Sequence, residues 1–202
     1  MTKKWLRERA KDYYYRLAKS EGYRSRAAYK LLQTSEKYRF IKRGYVVLDL
    51  GAAPGGWMQI ARELVGKDGY VLGVDIEPIE AFEWENVGSF IGDIIFLEGF
   101  DLLKELPKKA DVVLSDISPN ISGIWDLDHA RQIGLAENAL NIAISILRFD
   151  GSFFIKVFHG DLLKAFLGKV ESYFKFVRIV KPKASRKKSS EIYFLALGFI
   201  GK

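Results

Sequence analysis

From residue 45 onward the chain alternates between short apolar runs and longer segments with apolar residues at helical spacing. Short runs rich in β-branched and aromatic residues, bounded by Gly, Pro, Asp or Ser, read as buried strands. On that basis Tyr45–Leu50, Tyr70–Asp75, Gly88–Ile91, Asp111–Ser115 and Ser152–Phe158 predict five strands. Between them, Trp57–Val65, Phe100–Leu106, Asp128–Leu147 and Leu162–Tyr173 predict helices, whereas Ile76–Glu85, which contains Pro78, predicts mostly loop. The clearest helix is Asp128–Leu147, with Ile133, Ala136, Leu140, Ala143, Ile144 and Leu147 along one side. Two further strands, Phe176–Val180 and Glu191–Phe199, are separated by a polar loop too short for a crossover helix. They are expected as antiparallel neighbours ending an otherwise parallel sheet. The pattern predicts an α/β domain with a seven-stranded, mostly parallel sheet and an antiparallel last strand.

Residues 1–44 read as helical, with a break at Gly22 and a second helix starting near Ser25. Leu17, Tyr29, Leu31 and Leu32 are the candidate core contacts of that segment. It is expected to be an extension within the same domain as residues 45–202. A length of 202 residues suits one domain with a full core. The absence of cysteine excludes a disulfide scaffold, a thiolate zinc site and a cysteine nucleophile. No metal-ligand spacing occurs, so no metal is expected, and His129 and His159 are expected outside the chemistry. No apolar run reaches membrane-spanning length and the N-terminus is charged, so a cytoplasmic location without a membrane partner is expected.

The distribution of charge changes the picture more than its total. Residues 1–44 hold 14 Lys or Arg and 4 Asp or Glu, a net of +10. Subtracting these from the chain totals of 32 and 25 leaves 18 basic and 21 acidic residues, a net of −3. Within that remainder, Lys181 to Lys188 carries five positive charges and no negative one. Two basic regions on a mildly acidic body form a polyanion footprint. Tyr13, Tyr14, Tyr15, Tyr23, Tyr29 and Tyr38 lie among the N-terminal cations and offer rings for stacking on bases, although some must pack in the core.

The densest motif follows the first strand: Asp49-Leu50-Gly51-Ala52-Ala53-Pro54-Gly55-Gly56-Trp57. A buried strand that runs into a glycine-rich turn and a helix brings backbone N–H groups up to a ligand. The spacing departs from the G-x-G-x-x-G dinucleotide fingerprint and suits a looser turn over an amino acid and a nucleoside. In open α/β sheets the ligand lies outside the carboxyl ends of the strands, where Asp49, Asp75, Asp93 and Asp116 all fall. Asp75, 24 residues after Gly51, can accept from both hydroxyls of a ribose, which serves NAD and S-adenosylmethionine equally. Lys156 stands inside the apolar stretch Phe153–Phe158, a costly place for a lysine without partner or function. Glu191 opens a strand returning to the same rim, so Asp116, Lys156 and Glu191 are expected to converge beside the cofactor.

Five blocks in order resemble the FtsJ/RrmJ family of S-adenosylmethionine-dependent ribose 2′-O-methyltransferases over nearly the full length. They are Arg24–Leu31, Asp49–Trp57, Asp116–Gly123, Gly151–Phe158 and Ser185–Glu191. The resemblance implies a Rossmann-like methyltransferase fold and places the family's Lys-Asp-Lys-Glu tetrad on Lys30, Asp116, Lys156 and Glu191. It implies cofactor contacts at Gly51, Gly55, Trp57, Asp75, Asp93 and Asp116, with Asp93 near the adenine. It further implies a monomer acting on RNA, above all on a uridine ribose of 23S large-subunit rRNA, with a tRNA anticodon-loop ribose or an mRNA cap as the alternative acceptors. Two roles stay open for Lys156: a neutral base that takes the 2′-hydroxyl proton, or a charged group that orients the hydroxyl. Burial and neighbouring positive charge favour the first, Asp116 and Glu191 the second. Two rivals of other classes are a nicotinamide oxidoreductase, which shares the fold and Asp75, and a non-catalytic RNA-binding module.

Overall fold

The computed structural model describes residues 12–186 and 188–201. The first eleven residues of the basic extension and Lys187 lie outside the described residues. Helix α1 (Tyr13–Glu21) starts at Asp12, whose carboxylate accepts the Tyr15 N–H, and stops at Gly22 in the left-handed region. Helix α2 follows at Ala28–Tyr38, later than Ser25 because Arg24–Ala27 is a turn held from outside. The Gln59 side chain accepts the Arg24 N–H, and the Trp57 indole donates to the Ala27 carbonyl at 2.7 Å.

The remaining elements are β1 (Val46–Leu50), α3 (Gly56–Val65), β2 (Tyr70–Asp75), β3 (Val87–Ile91), α4 (Gly99–Glu105), β4 (Ala110–Ser115), α5 (Trp125–Ile146), β5 (Leu147–Phe158), α6 (Leu163–Glu171), β6 (Phe174–Val180) and β7 (Glu191–Phe199). One sheet holds all seven strands in the order β3-β2-β1-β4-β5-β7-β6. The first five strands in that order run parallel; β7 is antiparallel to both β5 and β6. The hairpin therefore folds inward, with β7 beside β5 and β6 at the edge.

Side-chain alternation splits the core into two layers. Val46, Leu48 and Leu50 face a layer containing Leu102, Ile133, Leu140 and Phe166 from α4, α5 and α6. Val47 faces the layer that holds Leu31 of α2 and Trp57, Met58 and Ile60 of α3. Leu17, Tyr29 and Leu32 pack in a smaller cluster with Ala18 and Ala184, which ties α1 to the loop after β6.

Two further boundaries differ from the pattern-based expectation by three residues or more, for local reasons. Helix α5 begins three residues early, at Trp125, because the Asp128 carboxylate accepts from the Ser122 N–H and hydroxyl and from the Gly123 N–H, fixing the entry turn. Strand β5 starts at Leu147 instead of Ser152. Its added residues include Arg148 and Asp150, the latter at φ 65°, and a register shift against β4 accommodates them. Such a polar, irregular stretch gives no strand signal.

Candidate active site

The strand order reverses between β1 and β4, and the crevice opens there. At the end of β1 the chain turns at Gly51 with φ 75°, and a Cβ there would lie 2.4 Å from Ile117 Cγ1. Only glycine permits both the turn and that approach. The resulting cleft, about 400 Å³, is lined by Gly51, Asp75, Asp93 and Asp116 among apolar walls that include Ile94 and Ile117. Asp75 is held from both sides: one oxygen accepts the Ala53 N–H at 2.8 Å and the other the Glu77 N–H at 2.9 Å. Asp93 accepts the Ile95 N–H at 2.9 Å. Each carboxylate oxygen keeps a second lone pair for a ligand. Gly55 and Trp57 are not brought to this cleft. Gly55 opens α3 beneath Arg24 and Phe82, and the Trp57 indole is buried against Phe154 and Tyr193.

The second group of residues is assembled by register. Ser115 pairs with Ile155, which sets Asp116 level with Lys156, and Lys156 pairs with Tyr193 on β7. Lys156, 4 % exposed, donates to the Asp116 carbonyl at 2.6 Å and Ser118 Oγ at 2.5 Å, and lies 3.3 Å from Asp116 Oδ1. Lys30 reaches in from α2, 3.6 Å from Asp116 Oδ2 and 3.3 Å from Glu191 Oε2. The Tyr193 hydroxyl donates to Asp116 Oδ1 at 2.9 Å.

Burial opposes ionisation of Asp116, but Lys156, Lys30 and the Tyr193 hydroxyl together hold its carboxyl below the ordinary range. Burial, then Asp116 and Glu191, push the Tyr193 phenol well above its ordinary value, so it remains a donor. Beyond Lys30 and Glu191 a second cavity of about 430 Å³ opens, bordered by Arg26, Arg186, Lys188 and Ser189. The four residues thus stand between an acidic cleft and a cationic one.

The model of the FtsJ-like methyltransferase family matches residues 23–199 of this chain. The chain belongs to that family. Ribosomal RNA large subunit methyltransferase E of Methanocaldococcus jannaschii is 50% identical over 204 residues, covering 99% of this chain and 83% of that protein. Its namesake in Methanothermobacter thermautotrophicus is 47% identical, covering 100% of this chain and 96% of that protein. Among solved structures, a ribosomal RNA methyltransferase from Plasmodium falciparum superposes with a TM-score of 0.78 at 28% identity, covering 89% of this chain and 100% of that one. Aeropyrum pernix fibrillarin, solved with S-adenosyl-L-methionine bound, shares the fold at a TM-score of 0.55 and 17% identity, over 87% of this chain and 75% of that one.

In this FtsJ-like chain three features escape a reading of the sequence. Tyr193 sits in an apolar strand and looks like core; only the β5–β7 pairing aims its hydroxyl at Asp116. Ser118 becomes a Lys156 partner through the turn after β4. Asp49, grouped by sequence with the rim carboxylates, instead lies beneath the cleft at 1 % exposure, and no partner for either carboxylate oxygen occurs among the described residues. Burial first, then Asp116 and Asp75, push its carboxyl well above the usual range.

Proposed function

We propose that this protein methylates a ribose 2′-hydroxyl of large-subunit ribosomal RNA, with S-adenosylmethionine as methyl donor. The observation that supports this best is the position of Lys30, Asp116, Lys156 and Glu191 between the acidic cleft and the cationic cavity. The acidic cleft fits a cationic nucleoside: Asp75 and Asp93 would offer acceptors for hydroxyl and amino groups, and Asp116 would supply negative charge suited to a sulfonium. The cationic cavity fits a phosphodiester, with Arg26, Arg186 and Lys188 as its charges. Residues 12–44 serve this reading as a substrate-facing part of the same domain.

When bound, S-adenosylmethionine supplies a methyl group on a sulfonium, a leaving group that needs no proton. The protein's task is then mainly alignment. Lys30 and Glu191, 3.3 Å apart, form a donor–acceptor pair at the mouth of the cationic cavity and orient the ribose hydroxyls. Of the two roles open to Lys156, its surroundings support the fixed cation. Its three N–H donors meet a carbonyl, a hydroxyl and a carboxylate, the arrangement of an ammonium. Its charge favours negative character on the attacking oxygen, and Asp116 holds it in place.

Large-subunit RNA from a strain lacking the gene, incubated with methyl-labelled S-adenosylmethionine and digested to nucleosides, should yield one 2′-O-methylated nucleoside. Label on a base, or on tRNA in preference to ribosomal RNA, would refute the reading.

A further inference from the structure

Beside Glu191 lies a third cavity, about 260 Å³, whose walls include Trp125, Phe158, Ile121 and Ser190. Glu191 also borders the cationic cavity, so the two spaces share a wall. Trp125 is 47 % exposed, in contrast to the buried Trp57. Its ring lies nearly parallel to those of His129 (5.9 Å, 10°) and Phe158 (6.0 Å, 21°). His129 is itself fixed, accepting the Leu162 N–H at Nε2. The turn that leads into Trp125 is tied down by Asp128 and still exposes Ile121 and Ile124. A rigid, half-exposed aromatic ring at the lip of a small apolar recess is a stacking surface for a nucleobase.

We infer that Trp125, backed by His129 and Phe158, binds the base of the nucleotide whose ribose is methylated. This rests on the proposed function. A ribose held at Lys30 and Glu191 with its phosphates on the side of Arg186 and Lys188 has its base on C1′, the carbon next to the one that bears the reacting hydroxyl, toward the shared wall. Stacking of this kind tolerates any base, since every base has a π-face. Trp125 therefore holds the acceptor nucleotide out of its helix and leaves the choice of sequence to other contacts.

The test uses the full-length protein with S-adenosylhomocysteine and an rRNA fragment carrying either the natural acceptor nucleotide or an abasic ribose there. Trp125→Ala should weaken binding of the natural fragment about 5- to 150-fold, the range of one lost base–aromatic stack. Trp125→Phe should keep most of the affinity. The wild type should bind the abasic fragment as poorly as Trp125→Ala binds the natural one, and combining the two changes should add no further loss. Unaltered binding by Trp125→Ala, or losses that multiply when combined, would overturn the inference. Melting temperatures of both variants, expected to match the wild type, exclude misfolding as the cause. Absence of methyl transfer by the wild type to the natural fragment would instead sink the proposed function, and this inference with it.

Discussion

Replacing Tyr193 by Phe removes one hydroxyl and leaves the ring stacked on Phe154 at 5.0 Å and against Trp57 at 6.0 Å. The lost bond is the 2.9 Å donation to Asp116 Oδ1. Hydrogen bonds to charged groups contribute about 1.5–3 kcal/mol. For a chain of this size that corresponds to a fall of roughly 3–12 °C in melting temperature. The dependence on pH distinguishes this cause from a packing defect. Asp116 has its folded-state value depressed, because Lys156, Lys30 and Tyr193 outweigh its burial. A depressed carboxyl contributes stability above its unfolded value, about 3.9, and loses it as pH falls through the folded value. The gap between wild type and Tyr193→Phe should therefore be full at neutral pH and narrow only once the pH falls below about 3.9. Thermal melts by circular dichroism across that range measure it directly. A gap that is absent at neutral pH, or constant down to strong acid, would falsify the claim that the hydroxyl serves an ionised Asp116. Methyl transfer should fall only modestly, since Lys30 and Lys156 still hold the carboxylate.

Asp75→Ala should weaken S-adenosylmethionine binding in calorimetry by about 1.5–3 kcal/mol for each hydrogen bond lost to the ribose, and unchanged affinity would reassign the cleft. Lys156→Ala should lower single-turnover methyl transfer by about 10²–10³ while both substrates still bind, and Lys156→Arg should retain measurable activity, its complete loss sinking the fixed-cation role. Gly51→Ala should lower the melting temperature and the cofactor affinity together, because its Cβ would meet Ile117 at 2.4 Å with the backbone at φ 75°. Neutralising Lys183, Arg186 and Lys188 should flatten the log–log salt dependence of RNA affinity by about 0.7 per lost phosphate contact without altering cofactor binding.

What the sequence made legible was local. The run from Val46 into Gly51, the carboxylates after successive strands, and a lysine in an apolar strand each announce themselves within a few residues. What it hid depends on which strands are neighbours. The placing of Tyr193 beside Asp116 and Lys156 requires β7 to enter between β5 and β6, and no local pattern encodes that choice. Asp49 misled for the opposite reason. Its place at a strand end matched the other carboxylates, but alternation along β1 turns it under the sheet's rim, two positions short of the turn at Gly51. Trp125 went unnoticed because the first turn of α5 exists through the Asp128 side chain, and Trp125–Leu127 carry no helical periodicity of their own.

The four charged groups alternate in sign along a line: Glu191, Lys30, Asp116, Lys156. Each interior member touches two opposite charges, and each end touches one. Removing Lys30 would leave Asp116 and Glu191 without the cation between them; removing Asp116 would leave two buried lysines sharing no anion. Unpaired buried charge is what makes breaking such a cluster costly, far more than the loss of any single attraction. The ends are different. Without Glu191, Lys30 still has Asp116; without Lys156, Asp116 still has Lys30 and Tyr193. Losing Asp116 thus strips Lys156 of its ion pair, whereas losing Glu191 leaves Lys30 its second anion. Lys30 comes from a helix outside the sheet and Glu191 from the inserted hairpin, so the line closes only when extension, central strands and hairpin have all docked. On the proposed function, the groups that align the substrate are the ones that join the helical extension and the hairpin to the central strands.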